Sequence, residues 1–131
     1  MLAVDTNVVV RFLTGDDARQ APRASALFRS ENIWLAKTVL LETEWVLRRL
    51  YRLSGEEICA ALEVLMGLPN VQIEDATEVA GALRWAASGL DFADALHLAS
   101  KGESREFITF DEKLVKGAKR LGASGVALLH V

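Results

Sequence analysis

Four acidic side chains, far apart in the sequence, could act together on a phosphate ester if the fold brings them to one place. They are Asp5, Glu42, Asp94 and Asp111. Clustered carboxylates repel one another and are costly to desolvate, so a fold tolerates them when a multivalent cation compensates their charge. Hard oxygen ligands select Mg²⁺ or Mn²⁺. Two such ions about 3.5–4 Å apart can activate a water molecule and stabilise a leaving oxygen in phosphodiester hydrolysis.

Short apolar strands that alternate with helices could position these acids. The predicted strands are Leu2–Val4, Ile33–Leu35, Val71–Ile73, Phe107–Thr109 and Val126–Leu129. This alternation predicts one α/β domain over residues 1–131, with a buried parallel sheet covered by helices on both faces. Ligands bind beyond the carboxyl ends of the strands in such sheets. We therefore expect Asp5, directly after the first strand, and Asp111, shortly after the fourth, at that edge.

The predicted helices supply the other two acids. Their expected extents are Asn7–Leu13, a helix capped by Asp16, Thr38–Tyr51, a helix begun by a Ser54–Glu57 capping box, a helix from Asp75 to Ser88, Phe92–Lys101 and Asp111–Leu121. Glu42 and Asp94 lie in the first turns of two of these helices. If those helix starts face the same edge, four carboxylates from distant segments converge.

A structural interpretation competes with the chemical one for every acid. An Asp at a helix N-cap satisfies free N–H groups and the helix dipole, which would suffice for Asp91 and Asp111. Asp5 could begin a turn, and Glu42 could be a solvated helix residue. Neither histidine, including His97 between two leucines, has a second metal ligand at suitable spacing.

Composition limits the classes of function. A net charge of −3 argues against strong nonspecific binding to nucleic acid, so any nuclease needs a local basic patch. Candidate phosphate-binding residues are Arg11, Arg48, Arg49, Lys113 and Lys116, with Arg120 on the same predicted helix face as the two lysines.

The single cysteine, Cys59, is expected to be a buried structural thiol. The tryptophans Trp34, Trp45 and Trp85 are expected to pack in a core or an interface.

Targeting signals are not evident in the sequence. The N-terminal apolar run is broken at once by Asp5, and no apolar run has the length of a membrane span. A cytoplasmic location without membrane contact is therefore expected.

Four segments in order, VDTNVVVRFL, VLLETEWVLRR, LDFADALHLAS and FITFDEKL, resemble the PIN-domain family. The resemblance covers essentially the whole chain and is closest to the toxin ribonucleases of VapBC-type toxin–antitoxin pairs. It implies a three-layer α/β/α fold with a mostly parallel central sheet of about five short strands. It also implies cleavage of RNA that depends on Mg²⁺ or Mn²⁺, a homodimer, and a small antitoxin whose tail covers the active site.

The resemblance also assigns residues. The four acids of the family correspond to Asp5 in V-D-T-N, Glu42 three residues before Trp45, Asp94 in D-A-L and Asp111 in T-F-D. Polar residues expected beside the site are Thr6, Asn7 and Thr109. Asp91 is an additional acid that could bind a metal ion through water.

The sequence alone leaves two other classes of function open. A phosphoacceptor or phosphatase domain could use Asp5, but receiver domains expect paired acids after the first strand. Haloacid-dehalogenase-type phosphatases expect a second Asp where this chain has Asn7. A non-catalytic α/β binding module could use the acids only as helix caps.

Overall fold

The computed structural model describes all 131 residues, and these divide into two compact units, residues 1–76 and 77–131. The elements in chain order are β1 (Leu2–Ala3), α1 (Thr6–Thr14), α2 (Gln20–Ser30), β2 (Ile33–Leu35), α3 (Lys37–Arg49), α4 (Gly55–Met66), β3 (Val71–Ile73), α5 (Ala76–Ala87), α6 (Phe92–Ala99), β4 (Phe107–Thr109), α7 (Glu112–Arg120) and β5 (Val126–Leu128). The α/β fold class and its five short strands are confirmed. The single domain over residues 1–131 stays a prediction.

The sheet of the first unit has three parallel strands in the order β1-β2-β3. Ile33 of the central strand is in register with Leu2 on one side and Val71 on the other. Ile33 and Leu35 are fully buried, as expected for the central strand of a parallel sheet. The prediction of a buried first strand is wrong, because β1 is an edge strand and Leu2 is 43% exposed.

Helices α1, α3 and α4 supply most of the remaining core of the first unit. The fully buried apolar side chains on these helices are Val9, Val10, Leu40, Leu47, Leu62 and Leu65. Phe12 of α1 stacks on Phe28 of α2, with ring centroids 4.1 Å apart, and this contact fixes the two helices against each other.

The second unit contains a two-stranded parallel sheet, in which Phe107 of β4 is in register with Val126 of β5. The hydrogen-bonded strands of the chain therefore form two small sheets, whereas the sequence predicted one. Strands of only two or three residues make few ladder bonds, and their hydrophobic pattern does not specify which strands pair. Helix α6 buries the apolar side chains of Phe92, Ala95, Leu96 and Leu98.

Side-chain caps determine where several helices begin. Ser54 forms the predicted capping box with Glu57, and Asp91 and Asp111 cap α6 and α7. The prediction that Asp16 caps α2 is wrong. Asp17 instead accepts the backbone N–H groups of Arg19 and Gln20, at 2.9 and 2.7 Å.

None of the seven helices combines the length and the apolar character that a membrane-crossing helix needs.

Candidate active site

Asp5 lies at the junction between the first strand and the first helix. It is the N-cap of α1, and its Oδ1 accepts the backbone N–H of Val8 at 3.3 Å. The side chain is exposed, and this bond uses only one of its two oxygens. The other oxygen remains available to a ligand.

Glu42 lies on α3 and is exposed, but a neighbour of Asp5 fixes its position. The hydroxyl of Thr6 donates a short hydrogen bond to Glu42 Oε1. Thr6 is only 7% exposed, so its rotamer is set by packing. The first unit therefore links the start of α1, where Asp5 lies, to the α3 carboxylate through one hydroxyl group.

The acids of the second unit lie at the starts of α6 and α7. Asp91 caps α6 by accepting the backbone N–H of Asp94 at 3.0 Å. Burial raises the pKa of Asp94 above its usual value, and the carboxylates of Asp91 and Asp111 raise it further, while His97 acts in the opposite direction. Like charges within a few ångströms disfavour the ionised form. Asp94 is therefore a half-buried carboxylate among other carboxylates.

Asp111 is held by the backbone around it. Its Oδ1 accepts the N–H groups of Lys113 and Leu114 at 2.9 and 3.2 Å, and its own N–H donates to Thr109 Oγ1 at 3.0 Å. The hydroxyl of Thr109 thus fixes the turn that presents the acid, and Oδ2 of Asp111 is not used in the cap.

A cleft of about 450 Å³ in the second unit brings these acids together with cations. Its lining includes the carboxylates of Asp91, Asp94 and Asp111 and the cations of Lys113, Lys116 and Arg120. Arg120 Nη2 donates to the carbonyl of Ser88 at 3.4 Å. At Gly117, a Cβ atom would lie 2.9 Å from Leu90 Cδ1, so the glycine allows α7 to approach this leucine closely. The cleft could bind a ligand that carries both a cation and an anionic group.

A family model for the PIN domain matches residues 2–120. The chain belongs to the PIN-domain family. The match includes all four acids of the predicted site and extends over parts of both units.

The comparisons with solved structures and with curated proteins add little to the family assignment. The PIN-domain chain is similar to the crystal structure of Mycobacterium tuberculosis VapC20, a sarcin-ricin loop cleaving toxin. The two share 24% identity, with a TM-score of 0.46, and the match covers 88% of this chain and 94% of the other. No curated protein matches the chain.

The acids of this PIN domain suit a hard divalent cation by ligand type. They offer carboxylate oxygens, and Asp5 and Asp111 each keep one oxygen outside their caps. Burial, and after it the repulsion from Asp91 and Asp111, raises the pKa of Asp94, and a bound cation would favour the ionised form of this carboxyl group. No group of three or more His, Cys, Asp or Glu side chains is arranged as a ready metal cage. The donor set thus fits a metal ion in chemistry, and its side chains would have to adjust to bind one.

Several predicted phosphate-binding residues are already engaged in ion pairs. Arg11 pairs with Asp16 at 3.2 Å, and Arg48 pairs with Glu44 at 2.9 Å. Arg49, Lys113 and Lys116 are exposed. The engaged arginines carry less uncompensated charge for RNA than the sequence suggested.

Glu44 is a buried acid that is not among the acids predicted from the sequence. This acid is only 7% exposed, whereas Glu42 on the same helix is exposed. The signal that could have found it is Arg48 four residues later, since opposite charges at that spacing meet on one helix face.

Other residues depart in smaller ways from the expectations. Trp45 is 49% exposed, so of the two expected settings, a core or an interface, only the interface stays open for it. Cys59 is half-buried, and burial together with Glu63 and Glu44 raises the pKa of its thiol, which disfavours a reactive thiolate.

Proposed function

We propose that this PIN-domain chain is a metal-dependent endoribonuclease, the toxin of a VapBC-type toxin–antitoxin pair. In this proposal the chain hydrolyses RNA phosphodiester bonds, and a bound Mg²⁺ or Mn²⁺ would activate the attacking water. The observation that carries the proposal is the cleft of the second unit, where three carboxylates and three cations line one volume. The proposal agrees with the ribonuclease activity that the family resemblance implied.

The four acids Asp5, Glu42, Asp94 and Asp111 are the proposed metal-holding residues. Asp5, Asp94 and Glu42 would hold the ion, and Asp111 would complete a second, weaker site or orient water. Asp91 contributes through water and by capping α6. A bound divalent ion would supply a water of lowered pKa and positive charge for the leaving oxygen.

Two hydroxyl groups orient the carboxylates. Thr6 donates to Glu42 and thereby fixes one rotamer of a side chain that would otherwise move freely in solvent. Thr109 accepts the N–H of Asp111 and fixes the turn before α7. Such supporting bonds typically change metal affinity or activity about 10–100-fold when they are removed. Asn7 is proposed as a third polar residue near the site.

The cations of the cleft bind the substrate in this proposal. Lys113, Lys116 and Arg120 lie on α7, whose first turn follows Asp111. An RNA phosphate carries one negative charge, and lysine and arginine bind it through charge-assisted hydrogen bonds. The acids cannot attract RNA themselves, so these cations offset their repulsion of the phosphate. Arg48 and Arg49 remain weaker candidates for the same role.

The proposed partners are RNA, a cognate antitoxin and a second copy of the chain in the cytoplasm. Trp45 and Leu50 at the end of α3 and Val64 on α4 are exposed apolar side chains. Large exposed apolar groups favour a protein interface in the first unit. The homodimer and the antitoxin are the two protein partners that the proposal names.

Cleavage of total cellular RNA by the purified protein tests the proposal. We expect cleavage with Mg²⁺ or Mn²⁺, none with EDTA, and none for Asp94→Asn with the metal present. Glu103→Gln, an exposed acid outside the cleft, is the matched control and should cleave as the wild type does. Cleavage that survives EDTA would contradict the metal requirement.

The caps favour one alternative function. Asp5, Asp91 and Asp111 all accept backbone N–H groups at helix starts, which a non-catalytic binding module would also need. Absence of RNA cleavage together with an unchanged melting temperature in Mn²⁺ would favour that module.

A further inference from the structure

A second cleft, of about 630 Å³, lies in the first unit and is lined by residues of α1 and α2. Three arginines contribute to it, Arg11 from α1 and Arg19 and Arg23 from α2 and its N-cap. No acidic residue lines it. In a chain with a net charge of −3, this concentration of positive charge is a local feature.

Two of these arginines have no ion-pair partner. Arg11 is paired with Asp16 and also donates to Gln20 Oε1 at 2.9 Å, which holds it against α2. Arg19 and Arg23 are exposed and belong to none of the ion pairs in the structure. The cleft therefore carries about two uncompensated positive charges.

The positions of Arg19 and Arg23 are unfavourable for the helix. Arg19 is the N-cap of α2, Arg23 is its fourth residue, and the first turn contains no acid. Positive charge near a helix N-terminus opposes the helix dipole and is destabilising. Neither guanidinium offsets this cost with an ion pair, so a stabilising role in the free chain does not account for them.

We infer that the cleft between α1 and α2 binds the backbone of single-stranded RNA, with Arg19 and Arg23 contacting phosphates outside the cleavage site. The inference rests on the proposed function, because it names a second contact with the same substrate. Arg19 and Arg23 are four residues apart and lie on the same face of the helix, so both can contact one strand.

The chemistry of the lining suits a nucleic acid. Guanidinium groups bind phosphates through two parallel hydrogen bonds, and they also stack on bases. Val8, Ala24 and Leu27 add apolar surface beside the arginines, which sugars or unstacked bases can cover. An acidic peptide is the other ligand with complementary charge.

Binding of a short single-stranded RNA oligonucleotide, measured at several KCl concentrations, tests the inference. The parent is Asp94→Asn, in which the proposed cleavage is blocked. The test variant adds Arg19→Gln and Arg23→Gln. The matched control adds Arg29→Gln and Arg84→Gln instead, an equal change of charge at exposed arginines outside both clefts. Melting temperatures establish that all three proteins are folded.

We expect the Arg19/Arg23 variant to bind RNA about tenfold more weakly near physiological salt and the control to bind as the parent does. Loss of two phosphate contacts should reduce the slope of log Kd against log[KCl] by about 1.4. Equal affinity and equal slope for the two double variants would overturn the inference. Displacement of the RNA by a polyglutamate peptide at the same charge concentration would also overturn it and assign the cleft to an acidic protein.

The results distinguish this inference from the proposed function. RNA cleavage by the wild type, with binding that does not depend on Arg19 and Arg23, would overturn the inference alone. The wild type could also cut no RNA while RNA binding still depends on these arginines. That result would overturn the proposed nuclease activity and support the cleft as an RNA-binding site. A parent protein that binds no RNA would overturn the cleft as an RNA site.

Discussion

Two carboxylates, one in each unit, have opposite surroundings. Asp16 in the first unit accepts hydrogen bonds from Tyr51, Thr14 and Arg11, and these hold its pKa below the usual value, Tyr51 having the largest effect. Asp94 in the second unit is partly buried beside other carboxylates, and its pKa is raised.

This difference separates a structural acid from a functional candidate. A carboxylate whose partners are all donors contributes to stability. A carboxylate that is partly buried beside like charges lowers stability. Its presence is explained if a ligand from outside the chain, such as a cation, relieves the repulsion. The acids near Asp94 should therefore respond to substitution differently from the acids that serve only as caps or ion-pair partners.

Among the residues that cap a helix or support an acid, substitution of Asp111 should have the largest effect on cleavage, and it separates the two roles of this acid. Asparagine caps a helix about as well as aspartate but is a poor metal ligand. We expect Asp111→Asn to reduce RNA cleavage more than about a hundredfold while the free energy of unfolding changes by less than about 0.5 kcal/mol. Asp111→Ala should lose cleavage and also about 1 kcal/mol of stability. If Asp111→Asn cleaved RNA at the wild-type rate, Asp111 would have no role beyond capping α7.

Removal of the Thr6 hydroxyl should have the next largest effect. In Thr6→Val, Glu42 loses the donor that fixes its rotamer, so we expect cleavage to fall about 10–100-fold. Thr6→Ser keeps the hydroxyl and should retain most of the activity. Equal losses in the two variants would indicate that packing, and not the hydrogen bond, is what matters at this position.

Ser54 provides a cap that has no chemical role. Its capping box at α4 should contribute about 1 kcal/mol, so Ser54→Ala should lower the melting temperature by a few degrees and leave cleavage unchanged. Thermal unfolding and cleavage assays on one preparation check both parts. Reduced cleavage in Ser54→Ala would show that a cap can affect activity at a distance, which would weaken the interpretation of Asp111.

Substitution of Asp16 should give a small effect that depends on pH. Because its pKa is lowered in the folded state, ionised Asp16 stabilises the fold above the unfolded-state pKa of about 4, and this stabilisation disappears as the pH falls through the lowered value. Asp16→Asn should therefore melt below the wild type at neutral pH and converge with it in acid. A difference that stays constant with pH would exclude the charge as its cause.

The local structure was predictable where a single residue decides it. Ser54, Asp91 and Asp111 cap the helices that the sequence assigned to them, because a cap depends on one side chain and the next few N–H groups. Which of Asp16 and Asp17 would accept the backbone N–H groups at the start of α2 was not predictable in this way. Both are adjacent acids, and the donors Tyr51 and Arg11 that engage Asp16 come from other elements.

Strand pairing and helix orientation depend on the tertiary fold. The five strands are too short for their sequences to specify partners, so the division into two sheets was not predictable. On α3, Glu42 and Glu44 have similar apolar neighbours in the sequence, and only packing shows that Glu44 is buried. The candidate acids were identified from the sequence motifs. The raised pKa of Asp94 and the arginine cleft of the first unit required coordinates.

Thermal unfolding of the metal-free protein, with and without Mn²⁺, tests the central claim that the acids hold a divalent cation. A ligand present at about 100 times its Kd stabilises the folded state by about 2.7 kcal/mol. We expect Mn²⁺ to raise the melting temperature of the wild type and of Glu103→Gln by several degrees and to leave Asp94→Asn nearly unchanged. In EDTA, Asp94→Asn should melt above the wild type, because the variant has no charge that is partly buried and repelled by Asp91 and Asp111. An equal Mn²⁺ response in Asp94→Asn and the wild type would contradict the account.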